Sequence, residues 1–530
     1  MYFLPVSDDA LLVEMGSQEE VISLYSTLKV SPMMAVCEFI PAARTLLIRF
    51  KKHSTDMQKL IHYITSCRLS EFTNNSNRQI NVPVNYNGED LYEVAEILGV
   101  NPDEVIRRHT ECEYVVAFTG FVPGFAYLFG NNQLLVPRRN SPRPRIQAGA
   151  VGLAGEYCGI YPRSSPGGWQ IIGTTSLAMW EIEREVPATL SPGMRVNFYR
   201  EDHRRSYSLS THSTSIPPPP LQGKPVLKIS FSGIQMLFQD DGRPGYSALG
   251  VSASGAADHG AFHSANRIVG NSPDEACLEF IPGGVLLQAL RDCTAAITGA
   301  DCTVTLTTTE GDSHVLSLWQ PLDIRAGDKL TFGPAKRGCR CYLALRNGFV
   351  VSPVLQSSSS DMLGGIGPAA VQNGDVILMK TSSKSTSVSI NETPAYVLPA
   401  VGDTVILDII PGPRVDWFTD ESVSRFFQLS WLVTPLSDRT GLRLRADAPL
   451  IRSEVRELFS EGLLPGAIQV PHDGNPVLFL ADTPVTGGYP VIGYVATHHL
   501  DLAGQLAPGV SIHFNLLTSC MPLKEAEGKE

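Results

Sequence analysis

Apolar residues recur at Leu91, Val94, Ala95 and Leu98, the spacing of one helical face, and predict a helix over residues 90–98. Asn101-Pro102-Asp103-Glu104 opens a second helix, which runs to about residue 110. Asn caps it, Pro suits its first turn, and Glu three residues after the cap completes a capping box. Residues 42–50 and 79–84 read as strands. From there to Phe198 the pattern changes to short apolar runs cut by Gly and Pro, which suggests a barrel. The second half is strand-rich throughout, with turn-to-strand units at 325–332 and 372–378 and helices at 257–269 and 421–427.

Three Gly-centred blocks occur twice in the same order. Ala-Gly-Ala-Val-Gly-Leu (148–153), Pro-Gly-Gly-Trp-Gln-Ile-Ile-Gly (166–173) and Pro-Gly-Met-Arg-Val-Asn-Phe (192–198) form the first set. Pro-Gly-Ala-Ile-Gln-Val (465–470), Thr-Gly-Gly-Tyr-Pro-Val-Ile-Gly (486–493) and Pro-Gly-Val-Ser-Ile-His-Phe (508–514) form the second. An ordered triple of this kind predicts two related β modules in one chain.

At 530 residues the chain exceeds one hydrophobic core. Residues 208–225, Ser-rich and then four consecutive prolines from Pro217, read as a semi-rigid linker. A second polar run at 382–389 divides the latter half. The expected organisation is a lobe over 1–85, a barrel over 86–207, the linker, and two β lobes over 226–390 and 391–520. A net charge of −11 argues against general affinity for nucleic acid or anionic membrane. The start of the chain lacks a basic region and turns acidic, so it does not read as a signal peptide. Ten scattered cysteines without a Cys-x-x-Cys pair indicate neither zinc nor a disulfide framework, and a reducing cytoplasm is the expected home.

The densest chemistry lies at 118–145. Arg138, Arg139, Arg143 and Arg145 have the planar forks to grip a carboxylate or phosphate, or else form a solvated basic loop. Gly120, Pro123 and Gly124 let backbone approach a ligand, or simply shape turns. His109 is an acid/base candidate, although a lone His is more often structural. Ser437-Asp438-Arg439 reads as a local Asp–Arg pair fixing a loop, and Asp482 as a pocket carboxylate or a solvated turn residue. Leu363-Gly-Gly-Ile-Gly367 is Gly-rich without a following Lys and reads as a flexible turn. No Walker, His-Glu-x-x-His or Gly-x-Ser-x-Gly motif occurs.

Phe121-Val-Pro-Gly-Phe-Ala-Tyr127, Pro137-Arg138 and Ser165-Pro-Gly-Gly-Trp169 closely resemble the KipI family, or allophanate hydrolase subunit 1. Gln239-Asp-Asp-Gly-Arg243, Ser254-Gly-Ala-Ala-Asp258, Ser437-Asp-Arg439 and Thr486-Gly-Gly-Tyr489 resemble the KipA family, or subunit 2. The chain thus looks like a KipI–KipA fusion. That resemblance implies a mainly β fold with an N-terminal α/β lobe and tandem cyclophilin-like barrels. It implies part of an ATP-dependent 5-oxoprolinase, an amidohydrolase that uses ATP, with Mg, to open a cyclic amide. The implied partners are a third subunit and a small-molecule substrate, with a homo-oligomer also compatible.

His109, Asp258 and Asp482 become proton-transfer candidates by the same resemblance. Arg138, Arg143, Arg145, Gly124, Tyr127, Gly167, Gly168, Trp169, Arg243, Asp438, Arg439, Gly487, Gly488 and Tyr489 become candidates for binding substrate or anion. The chain departs from the family pattern at Thr174, at Ser357–Ser360 and at Thr483–Val485. Two other functions accompany the same modules. One is a urea-carboxylase-type carboxyltransferase, which needs a biotin carrier supplied by another chain. The other is a regulator that inhibits a histidine kinase.

Overall fold

The computed structural model describes residues 1–69, 78–131, 134–139, 141, 143–201, 222–382, 386–454 and 456–517. An antiparallel sheet opens the chain, in the order Tyr2–Ser7, Ala10–Glu14, Thr45–Phe50, Val36–Pro41. Its two central strands are apolar at nearly every position, because both faces are covered. Leu11, Val13, Leu46 and Ile48 pack against the helices Gln18–Val30 and Met57–Ser66. Ala10, Leu12 and Leu47 face the other way, onto Leu463, Leu464, Val477 and Phe479. The N-terminal lobe is therefore seated on a module from the far end of the chain.

The first module is a seven-stranded sheet in the order Gln170–Thr174, Ala150–Ala154, Tyr157–Ile160, Ala126–Phe129, Glu113–Thr119, Arg195–Arg200, Gln79–Val84. It curls until its ends meet: Asn85 and Thr174 exchange two backbone hydrogen bonds of 2.8 Å. The second module is a closed barrel in the order Val491–Val495, Ala467–Gln469, Val477–Phe479, Gly441–Arg445, Trp431–Val433, Ser511–Leu516, Thr404–Pro411. The two circuits correspond strand for strand, and each has a single parallel pairing at the same step. The repeated blocks supply matching strands and turns, with Gly193 and Gly509 both in the left-handed region at φ +87° and +93°.

Residue pattern located the strand Gln79–Val84 but not its membership. It pairs in parallel with Arg195–Arg200, so it belongs to the first barrel and not to a lobe ending at residue 85. The lobe after the linker is a nine-stranded sheet built around the long antiparallel pair Cys293–Thr307 and Lys329–Leu345, with the helix His259–Val269 on one face. Residues 208–221 of the expected linker lie outside the described residues, as do 383–385 of the second polar run. Lys224 already starts a strand. Among the described residues no helix is long and apolar enough to cross a membrane.

Candidate active site at the junction of the halves

Turns from every module converge on one buried junction. The first barrel contributes the turn after Thr119, where Phe121 takes φ +66°. Gly120 packs so closely on Thr486 that a Cβ there would overlap the threonine hydroxyl. Thr119 Oγ1 donates to Ala248 O at 2.9 Å, and Gly124 N–H donates to Leu249 O at 3.0 Å. Arg163 donates to Leu363 O in the 361–367 turn. From the N-terminal lobe, Glu38 accepts from Gly245 N and from Ser247 Oγ, at 3.0 and 2.5 Å.

At the centre lies a charge network shielded from solvent. Arg439 binds Asp482 through two hydrogen bonds, Nε to Oδ2 at 3.1 Å and Nη2 to Oδ1 at 3.0 Å. Its Nη1 donates to Glu279, which also lies 3.7 Å from Arg340. Burial alone would push Glu279 toward the neutral acid, but Arg439 and Arg340 win and hold its carboxyl below the ordinary range. Burial likewise opposes the charge on Arg439, and Asp482 with Glu279 more than restores it. Ser254, at φ +53°, donates its hydroxyl to Asp482 Oδ1 at 2.6 Å.

Beside this network Asp240 clamps the serine run. It accepts from Ser357 Oγ at 2.6 Å and Ser359 Oγ at 2.5 Å, and from the Ser358 N–H at the same length. Arg243 reaches the carbonyls of Val354 and Ser359. Three buried polar atoms here have no hydrogen-bond partner among the described residues: Arg243 Nη1, Asp361 Oδ2 and Thr486 Oγ1. Burial first, and then Asp482, pushes the Asp361 carboxyl up to about 6. A guanidinium donor and a carboxylate poised near neutrality, both short of partners, suit a small ligand that carries an acid and a polar N–H group.

The junction gathers Arg243, Arg439, Asp482, Gly487 and, through its turn, Gly124. Asp482 is fully buried, not a solvated turn residue. Arg439 does not pair with its neighbour: Asp438 is exposed and caps its own turn through the N–H groups of Thr440 and Gly441. The 361–367 turn is fixed by Gly365 N–H donating to Asp361 O and by Arg163. Gly488 faces Leu458 O, and Tyr489 is half-exposed beneath Arg452.

Other sequence candidates sit elsewhere. His109 is fully buried in the first barrel, against Tyr86 Oη at 2.8 Å and Cys158 Sγ at 3.2 Å, and burial drives it down to about 3. It is a neutral core histidine, without the solvent path a proton shuttle needs. Asp258 is the N-cap of the helix His259–Val269, bonded to Ala261 N, Tyr396 Oη and Gln505 Nε2, and burial with Asp501 raises it to about 6. Tyr127 and Trp169 belong to a buried aromatic cluster with Phe118 and Phe125.

The arginine group also separates. Arg143 and Arg139 are spent on Asp90, at 2.7–2.8 Å, and Arg145 donates to Ser164 Oγ at 2.9 Å. Arg138 is exposed. Gly167 pairs with Arg143 in a two-stranded ribbon, while Gly168 O accepts from Arg139 N–H at 2.8 Å. Glu279 and Asp361 do not stand out in the sequence as site residues, and Asp240 and Ser254 lie inside the KipA-like motifs without being singled out there. The one local signal for Glu279 is a carboxylate inside the otherwise apolar run Cys277–Phe280.

Comparison with known proteins agrees with this architecture. The family described as carboxyltransferase domain, subdomain A and B, matches residues 249–516, and that described as carboxyltransferase domain, subdomain C and D, matches residues 1–190. The C component of the 5-oxoprolinase of Escherichia coli is 34% identical over 292 residues, 54% of this chain and 90% of that protein. The B component of the 5-oxoprolinase of Bacillus subtilis is 36% identical over 218 residues, 37% of this chain and 90% of that protein. The urea amidolyase of Saccharomyces cerevisiae is 32% identical over 57% of this chain, which spans only 17% of that larger protein. The crystal structure of TTHA0988 superposes with a TM-score of 0.81 at 31% identity, covering 96% of this chain and 99% of that one. With one family matching each half, the chain belongs to the carboxyltransferase-domain family, carrying subdomains C and D ahead of subdomains A and B.

Proposed function

We propose that this chain is a fused B- and C-type component of an ATP-dependent 5-oxoprolinase, opening the lactam of 5-oxoproline to glutamate together with a separate third subunit. The relatives named as the B and C components of such enzymes support this reading. The observation that carries it is the junction, where Arg243 and Asp361 offer unpartnered atoms in a site walled by both halves. In this reading Arg243 takes the substrate carboxylate as a charge-assisted pair. ATP is a co-substrate: its γ-phosphoryl passes to the lactam oxygen as ADP leaves, one water adds at the activated carbon, the C–N bond breaks to leave an acyl phosphate, and a second water hydrolyses that to glutamate and phosphate. Asp361 serves the nitrogen that must gain a proton. Asp482 and Arg439 hold Ser254 and the surrounding turns in register.

The described residues do not fit a nucleotide. Arg139 and Arg143 are paired with Asp90, Glu93 and Glu89, and the Gly364 and Gly365 N–H groups turn inward to Asp361. In this reading the nucleotide is therefore brought to the junction by the third subunit. The test is ATP hydrolysis by the chain mixed with a third 5-oxoprolinase subunit, with and without 5-oxoproline. Stimulation by 5-oxoproline with matching glutamate release is expected, and its absence from the complete mixture overturns the reading. The urea amidolyase relative supports a second reading, carboxyl transfer from biotin on a separate carrier. Recovery of a biotinylated partner in a pull-down, with no 5-oxoproline turnover, would favour it.

A further inference from the structure

We propose that Asp241, His259 and His263 form a binding site for a divalent transition-metal ion of the zinc type. His259 and His263 are four residues apart on the helix His259–Val269, so their imidazoles lie on one face, one turn from each other. Asp241 approaches them from the turn after the strand Met236–Gln239. Its Oδ1 lies 2.7 Å from His263 Nε2 and 3.4 Å from His259 Nδ1. One ligand atom from each residue can be chosen so that all lie within 4.8 Å of one another. Ligand atoms around tetrahedral zinc, with bonds of about 2.0 Å, sit about 3.3 Å apart. The trio needs only small side-chain shifts to enclose an ion.

The donor set selects the metal. Two imidazoles with one carboxylate suit zinc and its first-row neighbours, whereas Mg²⁺ prefers oxygen and keeps its waters. The site is thus distinct from any Mg²⁺ that accompanies ATP. Its supports are fixed: Asp501 accepts the N–H groups of His259 and Gly260 at 2.9 and 3.0 Å, and Asp258 caps the helix. Asp501 also places a further negative charge beside His259. All three side chains are partly exposed, so an ion can enter, and three protein ligands leave a coordination position open. The other His/Asp trio, Asp408 with His498 and His499, is less suited because His499 Nδ1 already accepts the Asp408 N–H at 2.9 Å.

The test titrates the purified full chain with Co²⁺, read by visible absorption, and with Zn²⁺ against a chromophoric chelator. One equivalent should bind, unaffected by millimolar Mg²⁺. His263→Gln and Asp241→Asn should each weaken binding by about 10-fold or more, while His498→Gln leaves it unchanged. Circular dichroism checks that each variant is folded, and either substituted ligand suffices if the other variant fails. Absence of stoichiometric binding, or affinity indifferent to both substitutions, overturns the site and leaves a plain His–Asp ion pair. The readout is metal binding alone, so its outcome is separate from that of the 5-oxoprolinase assay.

Discussion

Asp90 and Arg414 occupy the same position in the two barrels and carry opposite charges. The Asp90 N–H donates to Ile171 O and the Arg414 N–H to Val491 O, at 2.9 and 3.3 Å, and these acceptors are equivalent residues of the repeated Gly-Gly block. Each faces a partner on the ribbon beside that block. Arg143, in register with Gly167, pairs with Asp90, and Glu461, in register with Gly487, pairs with Arg414. The ion pair is kept in place and reversed in sign.

A buried pair of this kind costs most when only one partner is lost, because the other is left charged and dry. Arg414→Met alone should destabilise the chain by about 3–5 kcal/mol, and Glu461→Gln by less, because Glu14 still pairs with Arg414 at 3.0 Å. The double substitution should cost less than the sum. Urea unfolding of the four-member cycle measures the coupling, and simple additivity would count against the pair.

The Arg439 network makes a sharper case. Arg439→Met strands Asp482 without its cation and leaves Glu279 with Arg340 alone, with an expected loss of about 3–5 kcal/mol. Arg439→Lys should recover only part of it, since an ammonium lacks the fork that meets both Asp482 oxygens. Thermal melts of the two variants against the parent give the order.

Asp361 predicts a pH dependence. Its carboxyl sits near 6 in the folded chain against an ordinary 3.8, so between those values the folded state holds a proton that the unfolded state has released. Stability from this group therefore falls as pH rises through that window, by on the order of 3 kcal/mol. Asp361→Asn should remove that fall, gaining stability relative to the parent at pH 8 but not at pH 3.5. Melting curves across pH check it, and parallel profiles would show that Asp361 does not titrate there.

Gly120→Val tests whether the two halves must touch. Its side chain would collide with Thr486 and part the junction while leaving both barrel cores intact. Turnover should fall by up to about 100-fold with little change in circular dichroism. Unchanged turnover would place the chemistry elsewhere.

Much of this architecture was legible in local pattern. The Gly blocks marked corresponding strands of two barrels, and Asn101 caps the helix Pro102–Glu111, its Oδ1 accepting Glu104 N–H, while the Glu104 carboxylate takes Arg107 and Arg108 instead of closing the box. What local pattern could not carry was pairing at a distance. Gln79–Val84 reads the same in a lobe or a barrel, and only its partner more than a hundred residues away decides. The run Ala-Leu-Leu-Val at 10–13 lacks alternation because both of its faces are covered, one by a module from the other end of the chain. At the site, Arg439 and Asp482 were visible as residues, but their pairing spans 43 positions and the adjacent Asp438 was the obvious false partner. His109 misled because sequence does not distinguish a satisfied core imidazole from a working one.

The central claim is that the junction binds 5-oxoproline through Arg243. Its most direct test is the KM for 5-oxoproline in the complete enzyme carrying Arg243→Lys, measured beside the KM for ATP. The account predicts a rise of about 10-fold or more in the first, the scale of one lost charge-assisted contact, and little change in the second. An unchanged KM for 5-oxoproline in a folded, active variant would contradict it.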